Sequence, residues 1–475
     1  MPDAAQRVAR GSPPSSSADR RTSSPQPTLK KQPKGRTSRG NTMTDDTIGE
    51  RPADPAPRRT AYHYYVVAVL VLIYAVNFLD RQIMAILVAP IGKDLHLSDT
   101  QLGMLSGVAF ALFYATLGLP IARLADRYNR VRIIAVSCAI WSGFTVCCGL
   151  AGNFLQLAAA RIGVGIGEAG GSPPSYSIIA DYFPPQDRGY AMSLYSLGIP
   201  LGITLGTAFG ALVANTYGWR VAFFAAGAPG IVLAVLLVTT VREPLRGGLD
   251  RLKQASITSS LPTALRAFFS NPVLRSTALS AGLSAFCGYG ATAWAPAYLI
   301  RTLGMTLPEV ALWYSLVNGV AMATGIFLSG WVADRWARTN PGAYALMPAI
   351  GLLITLPFFI GFLTAHSWTL ALLLFVVPGL TFSMYLAPAL SVIQNAVHPS
   401  ERSTSGAILL LMINLIGLSG GPFLVGWVSD ALAPRFGAES LRFGLAALIP
   451  AILLAVVVLF RGAVLLRRRA AAAQA

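Results

Sequence analysis

The sequence has few residues of the kinds that build catalytic and metal sites. It contains four histidines and four cysteines, and neither residue type is clustered with the spacing of metal ligands. It also lacks a Walker-type phosphate loop, a His-rich metal motif and a serine elbow. These absences argue against an enzyme and predict a protein without cofactor or metal. The missing nucleotide-binding domain also excludes a pump driven by ATP.

Charged side chains are scarce over most of the chain. Only 12% of the residues are charged, whereas 54% are hydrophobic, and between about residues 62 and 466 the polar stretches are short loops. A bilayer core needs about 20 apolar residues per helix, and runs of this length recur along the sequence. We therefore predict an all-α membrane protein with twelve transmembrane helices. The predicted spans cover residues 63–92, 98–125, 131–151, 154–181, 187–214, 218–241, 272–303, 306–334, 343–364, 367–397, 402–431 and 439–464.

Acidic residues are outnumbered 20 to 37 by lysine and arginine, and the basic excess is one-sided. If the N-terminus is inside, thirty basic residues fall on the inner side, five fall on the outer side and two lie within helices. Cytoplasmic loops carry this kind of excess, so both termini are predicted to be cytoplasmic. No basic stripe coincides with a soluble domain, so the net charge of +17 indicates contact with anionic lipids and no nucleic-acid partner.

The chain repeats one pattern in its two halves. The stretches that begin at Pro184 and His398 both contain a proline, an acid–arginine pair and small residues that lead into glycine-rich apolar sequence. We therefore predict two parallel six-helix repeats, an arrangement that suits alternating access. The predicted domains are a disordered cytoplasmic tail (1–61), a first bundle (62–241), a cytoplasmic linker (242–271), a second bundle (272–466) and a short cytoplasmic tail (467–475).

The stretch RIGVGIGEAGGSPPSYS, residues 161–177, has the glycine spacing of a dinucleotide-binding fingerprint. That fingerprint requires a preceding strand and a βαβ unit, and here the glycines lie inside the fourth predicted span. Gly163, Gly167 and Gly171 fall on one side of that helix, where small residues allow close approach of a neighbouring backbone. The glycines therefore indicate helix packing.

Four charged residues lie near the middle of predicted spans. Asp80 and Arg81 interrupt the first span, and Arg161 and Glu168 interrupt the fourth. Each central charge costs on the order of 3 kcal/mol even on the milder insertion scale. The four residues therefore predict mutual ion pairs or a water-filled cavity.

A carboxyl group beside an arginine in a dry cavity gains or loses its proton when the arginine or the water moves. We predict that Glu168 carries the coupling proton, with Asp80 second. Arg81 and Arg161 would pair with these acids or with an anionic substrate. The alternative is a static ion-pair network that only locks the first and fourth helices together. The polar residues that share a face of the first span with Arg81 are Tyr74 and Asn77.

The second half offers weaker candidates for a cavity wall. These side chains are polar or amphipathic at plausible depths, and each is more often a packing residue than a ligand. They are Tyr289, Trp294, Asn318, Tyr385 and Asn414.

The loop after the second predicted span, Ala122 to Arg130, resembles the cytoplasmic motif Gly-x-x-x-Asp-Arg-x-Gly-Arg of the major facilitator superfamily, with Ala122 and Asn129 in place of the two glycines. The copy from Gly330 to Arg338 keeps its first glycine. The resemblance implies that the charged residues of these loops, with Asp181 at the end of the fourth predicted span, form a cytoplasmic gate that is latched in the outward-facing state, whereas the alternative is a solvated loop that only fixes topology. The gate residues so implied are Asp126, Arg127, Arg130, Asp181, Asp334 and Arg335.

The motif Asn77-x-x-Asp80-Arg81, the Arg161 to Glu168 stretch and SIIADYFPPQDRGYAMSLYSLGIPLG together resemble the Spinster branch of that superfamily. This resemblance implies a proton-coupled secondary transporter that moves a sphingosine-phosphate or lysophospholipid type of substrate by alternating access. Symporters of sugar acids share a similar first-helix motif, so a proton-driven symporter of sugar acids or other small organic anions is the alternative. A transporter-like sensor or scaffold is a more remote one.

The expected partners are a small-molecule or lipid substrate, protons and membrane lipids, and the protein is expected to be a monomer. Arginine is far more frequent than lysine, and alanine and glycine are abundant. This composition is typical of a bacterium with a GC-rich genome. It predicts a multi-pass protein of the bacterial inner membrane.

Overall fold

The computed structural model describes residues 60–246, 261–397 and 402–474, and every regular element in these ranges is helical. The predicted disordered tail lies outside the described residues except at its end, and so does the middle of the predicted linker. All of the predicted spans correspond to helices.

Three of the first six spans are continuous helices, and the other three are pairs of helices separated by a short break. Span 1 is Ala61–Leu95, span 3 is Arg130–Leu150 and span 6 is Trp219–Thr240. The other three are pairs: span 2 is Asp99–Ser106 with Val108–Arg127, span 4 is Phe154–Glu168 with Ser172–Tyr182, and span 5 is Pro185–Ser196 with Gly198–Tyr217.

The last six spans follow a helix that belongs to the predicted linker, Leu261–Ser270. Span 7 is Pro272–Arg301, span 9 is Ala343–Thr364 and span 10 is Trp368–Thr381 with Leu386–Ala396. Span 8 is Leu307–Glu309, the π-helical turn Val310–Tyr314 and Ser315–Ala337. Span 11 is Arg402–Met412, the π-helical turn Ile413–Leu418 and Ser419–Phe436, and span 12 is Ser440–Ala446 with Leu448–Gln474.

Nine stretches of the described chain are long and apolar enough to cross a membrane. Eight coincide with single spans, and the ninth, Thr404–Ala472, joins spans 11 and 12. The remaining two spans differ for clear reasons. Span 4 is broken at residues 169–171, and span 7 has 30 residues but is rich in serine, threonine and glycine.

Two segments differ from the sequence prediction. The last helix continues to Gln474 and includes most of the predicted tail 467–475, because arginine and alanine favour helix formation. The predicted linker contains the helix Leu261–Ser270, which the basic composition of the linker did not indicate. Its Phe268 is buried against apolar residues of spans 7 and 11, so hydrophobic burial holds this helix on the second bundle.

Each half is held together mainly by helix pairs within it. Spans 1 and 5 and spans 3 and 6 pack extensively in the first half, as do spans 7 and 12 and spans 9 and 10 in the second. The halves meet where span 2 packs on span 11, span 1 on span 7 and span 5 on span 8. We call the end of the bundle with residues 61 and 474 the terminal end and the opposite end the far end.

The glycines of span 4 lie at close helix contacts. A Cβ atom on Gly163 would collide with the Phe144 ring, and one on Gly167 would lie 2.5 Å from the main-chain nitrogen of Trp141. Gly165 faces the other way, where a Cβ atom would lie 2.5 Å from the carbonyl oxygen of Phe110. Span 4 is therefore packed tightly between spans 2 and 3, and the packing interpretation agrees with this geometry for Gly163 and Gly167. Gly171 lies in the break of span 4, where a Cβ atom would make ordinary contacts at 3.4 Å or more.

We predict that Gly167→Val destabilises the protein by about 1–3 kcal/mol, because the added methyl groups overlap main-chain atoms of span 3 that have no room to move. Thermal unfolding of the purified protein in detergent measures the loss. The matched control is Gly143→Val in span 3, where a Cβ atom would meet no other atom within 4 Å. Equal stability of the two variants would contradict this account of the packing.

Candidate functional site

The adjacent residues Asp80 and Arg81 of span 1 point into different surroundings. Asp80 is fully buried, and its Oδ2 lies 3.0 Å from the hydroxyl oxygen of Thr145 in span 3. That hydroxyl also lies 3.0 Å from the main-chain carbonyl oxygen of Trp141. The second carboxyl oxygen of Asp80 has no hydrogen-bond partner in the described chain. Within the described chain, the carboxyl group of Asp80 is therefore bonded to span 3 by one neutral side chain, that of Thr145.

Arg81 forms the ion pair that joins spans 1 and 4. Its Nε donates to Oε2 of Glu168 at 2.6 Å, and the Glu168 side chain is completely buried. The guanidinium carbon lies 4.4 Å from the centre of the Tyr114 ring and also contacts the faces of Phe78 and Phe110. Cation–π contacts of this kind partly replace water around a buried cation. One of the ion pairs expected from the sequence is therefore present.

Arg161 is not in an ion pair with either acid within the described chain, although it lies close enough to both to interact electrostatically. It is 2% exposed, its Nε donates to the carbonyl oxygen of Leu105 at 3.3 Å, and its guanidinium carbon lies 5.0 Å from the Phe110 ring centre. The site therefore contains one formed ion pair and one separated acid and base.

The two other polar residues predicted on the Arg81 face of span 1 have different environments. Asn77 is 3% exposed and lies beside Glu168, and its side-chain oxygen has no partner in the described chain. Tyr74 stacks on Tyr195 of span 5, with ring centres 4.3 Å apart and planes 8° from parallel. Tyr74 therefore packs spans 1 and 5 together.

A cavity of about 190 Å³ lies between the halves, lined by spans 1, 2 and 5 and by spans 7, 8, 10 and 11. Among the described residues that line it, Arg81 is the charged one. Most of the remaining wall is apolar or aromatic. Examples are Phe78, Ile203, Met322, Phe375 and Phe382.

Three of the predicted cavity residues, Tyr289, Asn318 and Tyr385, line this cavity. The two others serve helix contacts: the indole N–H of Trp294 donates to the carbonyl oxygen of Pro422 at 2.9 Å, and Asn414 donates to a carbonyl oxygen one turn earlier in its own helix. Sequence reasoning missed four polar lining residues, because an isolated polar residue in an apolar run has no pattern that marks it. They are Gln82, Ser106, Thr292 and Ser383.

Arg130 lies at the centre of a charged cluster at the terminal end. It donates to Asp181 at 2.5 Å, to Glu243 at 2.7 Å and to the hydroxyl of Ser177 at 2.8 Å. All of these residues belong to the first half, and Glu243 was not among the residues implied by the resemblance. The cluster ties the beginning of span 3 to the ends of spans 4 and 6.

The remaining gate residues implied by the resemblance are not joined to this cluster by a described contact. The side chain of Asp126 lies outside the described part of the structure, and Arg127 is exposed. In the second half, Asp334 accepts a hydrogen bond from Tyr344 at 2.9 Å, and Arg335 lies 5.5 Å from the ring centre of Trp331. Their role in a gate stays a prediction.

The halves are locked together at the far end by charged groups that sequence reasoning missed. The Asp430 carboxylate of span 11 accepts from the main-chain N–H groups of Asp99 and Thr100, at 2.8 and 2.7 Å, where span 2 begins. The Asp99 carboxylate in turn accepts from Arg301 of span 7 at 2.6 Å and from Ser429 of span 11 at 2.7 Å. We call this set of five residues the far-end lock.

Close backbone contact supports the far-end lock. A Cβ atom on Gly103 of span 2 would lie 2.6 Å from the carbonyl oxygen of Pro422, and one on Gly426 of span 11 would collide with the carbonyl oxygen of Asp99. The N-terminus of a helix carries unpaired N–H groups and a partial positive charge, so a carboxylate from the other half is well placed there. The far end is closed in this structure.

Comparison with known proteins agrees with this geometry. A family model described as the Major Facilitator Superfamily matches residues 70–422. An "MFS-type efflux pump" of Mycolicibacterium smegmatis is 33% identical, covering 83% of this chain and 90% of its own. Human "Protein spinster homolog 1" is 31% identical, covering 82% and 78%.

A solved structure is also similar. It is a bacterial homolog of the human lysosomal transporter Spinster in an inward-facing and unoccupied conformation, with a TM-score of 0.79 and 33% identity, covering 86% of this chain and 98% of its own.

We predict that Arg301→Gln opens the far end, because Asp99 then loses its charge-assisted hydrogen bond, an interaction worth on the order of tenfold or more in an equilibrium constant. Spin labels at positions 215 and 438, in a variant without native cysteines, would report a larger far-end distance. The control is Arg220→Gln, which removes an exposed ion pair with Asp94 inside the first half. An unchanged distance distribution in Arg301→Gln would contradict a locking role.

Proposed function

From the premise that this chain belongs to the Major Facilitator Superfamily and is a transporter of the Spinster type, we propose that it couples protons to the movement of an anionic amphiphile. The cargo would be a lipid of the sphingosine-phosphate or lysophospholipid type, moved by alternating access. We further propose that it acts in a bacterial inner membrane with both termini in the cytoplasm, as the one-sided basic residues indicate.

The observation that carries the proposal is the position of Arg81. Its guanidinium lines the cavity between the halves, and the same guanidinium donates at 2.6 Å to Glu168 of span 4 in the first half. Glu168 itself is buried and is not among the described residues that line the cavity. A single cation is therefore shared between the buried acid and the space that would hold the substrate.

This sharing supports coupling between a proton and an anion. A substrate anion and the Glu168 carboxylate compete for one guanidinium, so a proton on Glu168 frees Arg81 for the substrate. By thermodynamic linkage, a bound anion then favours the protonated form of Glu168 to the same extent. Proton and anionic substrate would therefore bind together, which is the requirement for symport.

The hydrogen bonds of Asp80 support a second proton site. The Thr145 hydroxyl has one hydrogen and two oxygen neighbours, the Trp141 carbonyl and Asp80 Oδ2. The Trp141 carbonyl can only accept, so it takes the hydroxyl hydrogen of Thr145. The contact between Thr145 and Asp80 is then also a hydrogen bond if Asp80 carries a proton and donates it to the hydroxyl oxygen. An ionised Asp80 would be a buried charge without a paired cation, which is costly. We infer that Asp80 is protonated when the far end is closed.

The cavity wall supports an amphiphilic cargo. Apolar and aromatic side chains from both halves surround the single guanidinium, so an anionic head group beside Arg81 would leave apolar space for the first part of a chain. A lipid head group enters such a site without burying an unpaired charge, because Arg81 neutralises it.

One observation favours the alternative cargo, a sugar acid or another small organic anion. The cavity volume of about 190 Å³ is below the usual size of pockets for drug-sized ligands. A small anion fits this volume completely, whereas a lipid chain must extend beyond it. The same Arg81 and Glu168 would couple either cargo to protons.

We predict that Glu168→Gln strongly lowers proton movement with the substrate, because an amide neither gains nor loses a proton and only the second proposed site, Asp80, remains. Substrate uptake is measured in liposomes whose pH-sensitive dye reports the proton flux, and downhill substrate movement with a much smaller pH response is the expected result. The control is Glu439→Gln, whose exposed carboxylate lies at the far end and contacts Arg442 at 3.5 Å. Fully pH-driven transport by Glu168→Gln would show that the proton role is wrong.

We predict that the reconstituted protein moves protons with a lysophospholipid or a sphingoid phosphate, and that Arg81→Gln lowers this transport about 10- to 100-fold because the head group loses its charge-assisted partner. Liposomes with an internal pH dye are presented separately with each lipid and with a sugar acid. The exposed Arg442→Gln serves as control. If only the sugar acid moves protons, the lipid assignment fails and the alternative stands.

A further inference from the structure

The cavity wall contains a deeply buried amide, that of Asn318, which has no hydrogen-bond partner in the described chain. Asn318 of span 8 is 2% exposed and lines the cavity, and no described group bonds to its side chain. Buried side-chain amides are almost always paired, because leaving one unpaired costs free energy. An unpaired amide on a cavity wall therefore points to a ligand group that completes it.

Two hydroxyl groups of the same wall already have protein partners, whereas Gln82 Nε2 and Ser106 Oγ, which also line the cavity, have none in the described chain. The Ser383 hydroxyl donates to the carbonyl oxygen of Leu380 at 2.8 Å, and the Thr292 hydroxyl donates to the carbonyl oxygen of Gly288. These hydroxyl groups would have to give up a protein partner to bind a substrate. Asn318 has no described protein partner to give up, and unlike Gln82 and Ser106 it lines the cavity from the second half, whereas Arg81 lines it from the first.

The position of Asn318 is fixed by close packing between the halves. A Cβ atom on the next residue, Gly319, would collide with the side chain of Thr204 in span 5. Span 8 therefore has little freedom to rotate at this level. Asn318 reaches the cavity from the second half, whereas Arg81 reaches it from the first. A substrate that contacts both residues connects the two halves.

We propose that Asn318 binds a hydroxyl group of the substrate and thereby selects anionic lipids that carry one near the charged group. This assignment rests on the proposed function, which places the anionic group at Arg81. An amide offers both a donor and an acceptor, and a hydroxyl group needs both. A site built to bond a hydroxyl group discriminates strongly against an analogue without it, because the buried polar group is then left unpaired. An anionic lipid without a hydroxyl group is therefore a poor substrate.

The test compares a lysophosphatidic acid that has a free hydroxyl group on its glycerol with its deoxy counterpart. Both lipids are supplied together to one preparation of proteoliposomes, and extraction by albumin measures how much of each has crossed. We expect the wild type to prefer the hydroxyl lipid about tenfold, the size of one buried hydrogen bond. In Asn318→Leu the preference should fall to near unity, mainly through slower movement of the hydroxyl lipid.

The ratio of the two lipids within one preparation does not depend on the amount of folded protein, so a poorly expressed variant still gives a result. The control is Thr355→Val, which removes a buried hydroxyl group bonded to the carbonyl oxygen of Gly351 outside the cavity, and which should keep the preference. A wild type without preference, or an Asn318→Leu variant that keeps it, overturns the assignment of Asn318 alone. A wild type that moves neither lipid overturns the proposed lipid cargo and this assignment with it.

Discussion

The contact between Arg81 and Glu168 is the interaction on which the functional interpretation depends. A buried acid and a buried base are each unfavourable in an apolar interior, and together they compensate each other only while they remain in contact. Because Arg81 also lines the cavity, an anion in the cavity can compete with Glu168 for the guanidinium. Any anion that enters the cavity changes the electrostatic surroundings of Glu168. A static pair sealed away from the cavity would have no such consequence.

The rest of the first half holds this pair at a fixed depth. The glycines of span 4 allow it to pack against the backbones of spans 2 and 3, which places Glu168 opposite Arg81. The rings of Phe78, Phe110 and Tyr114 enclose the guanidinium and restrict its movement. The second half contributes most of the cavity wall and carries no charged lining residue in the described chain. The two halves therefore have different tasks, although they repeat one helical plan.

Hydrophobic run length was sufficient to predict the twelve spans but not the linker helix Leu261–Ser270, because bilayer thickness constrains only the length of a span. The central charges could also be recognised in the sequence, because a charged residue stands out in an apolar run. Which acid pairs with which arginine could not be predicted in this way. The sequence did not distinguish Arg81 from Arg161 as the partner of Glu168, because that depends on side-chain direction across two helices. Asp99 was missed because it lies at the start of a helix, and Asp430 because it lies next to the end of the predicted span 402–431. A carboxylate at such a position is unremarkable until its neighbour from the other half is known.

The helix beginning at Asp99 has its first N–H groups covered by a carboxylate that belongs to the opposite half of the molecule. When the halves separate at the far end, these N–H groups and the carboxylate become exposed to water. Water molecules can then replace each hydrogen bond that is lost. Opening therefore replaces hydrogen bonds between the halves by hydrogen bonds to water of similar strength. The open and closed arrangements remain close in free energy for this reason. A small input from a bound ligand is then enough to tip the balance in either direction.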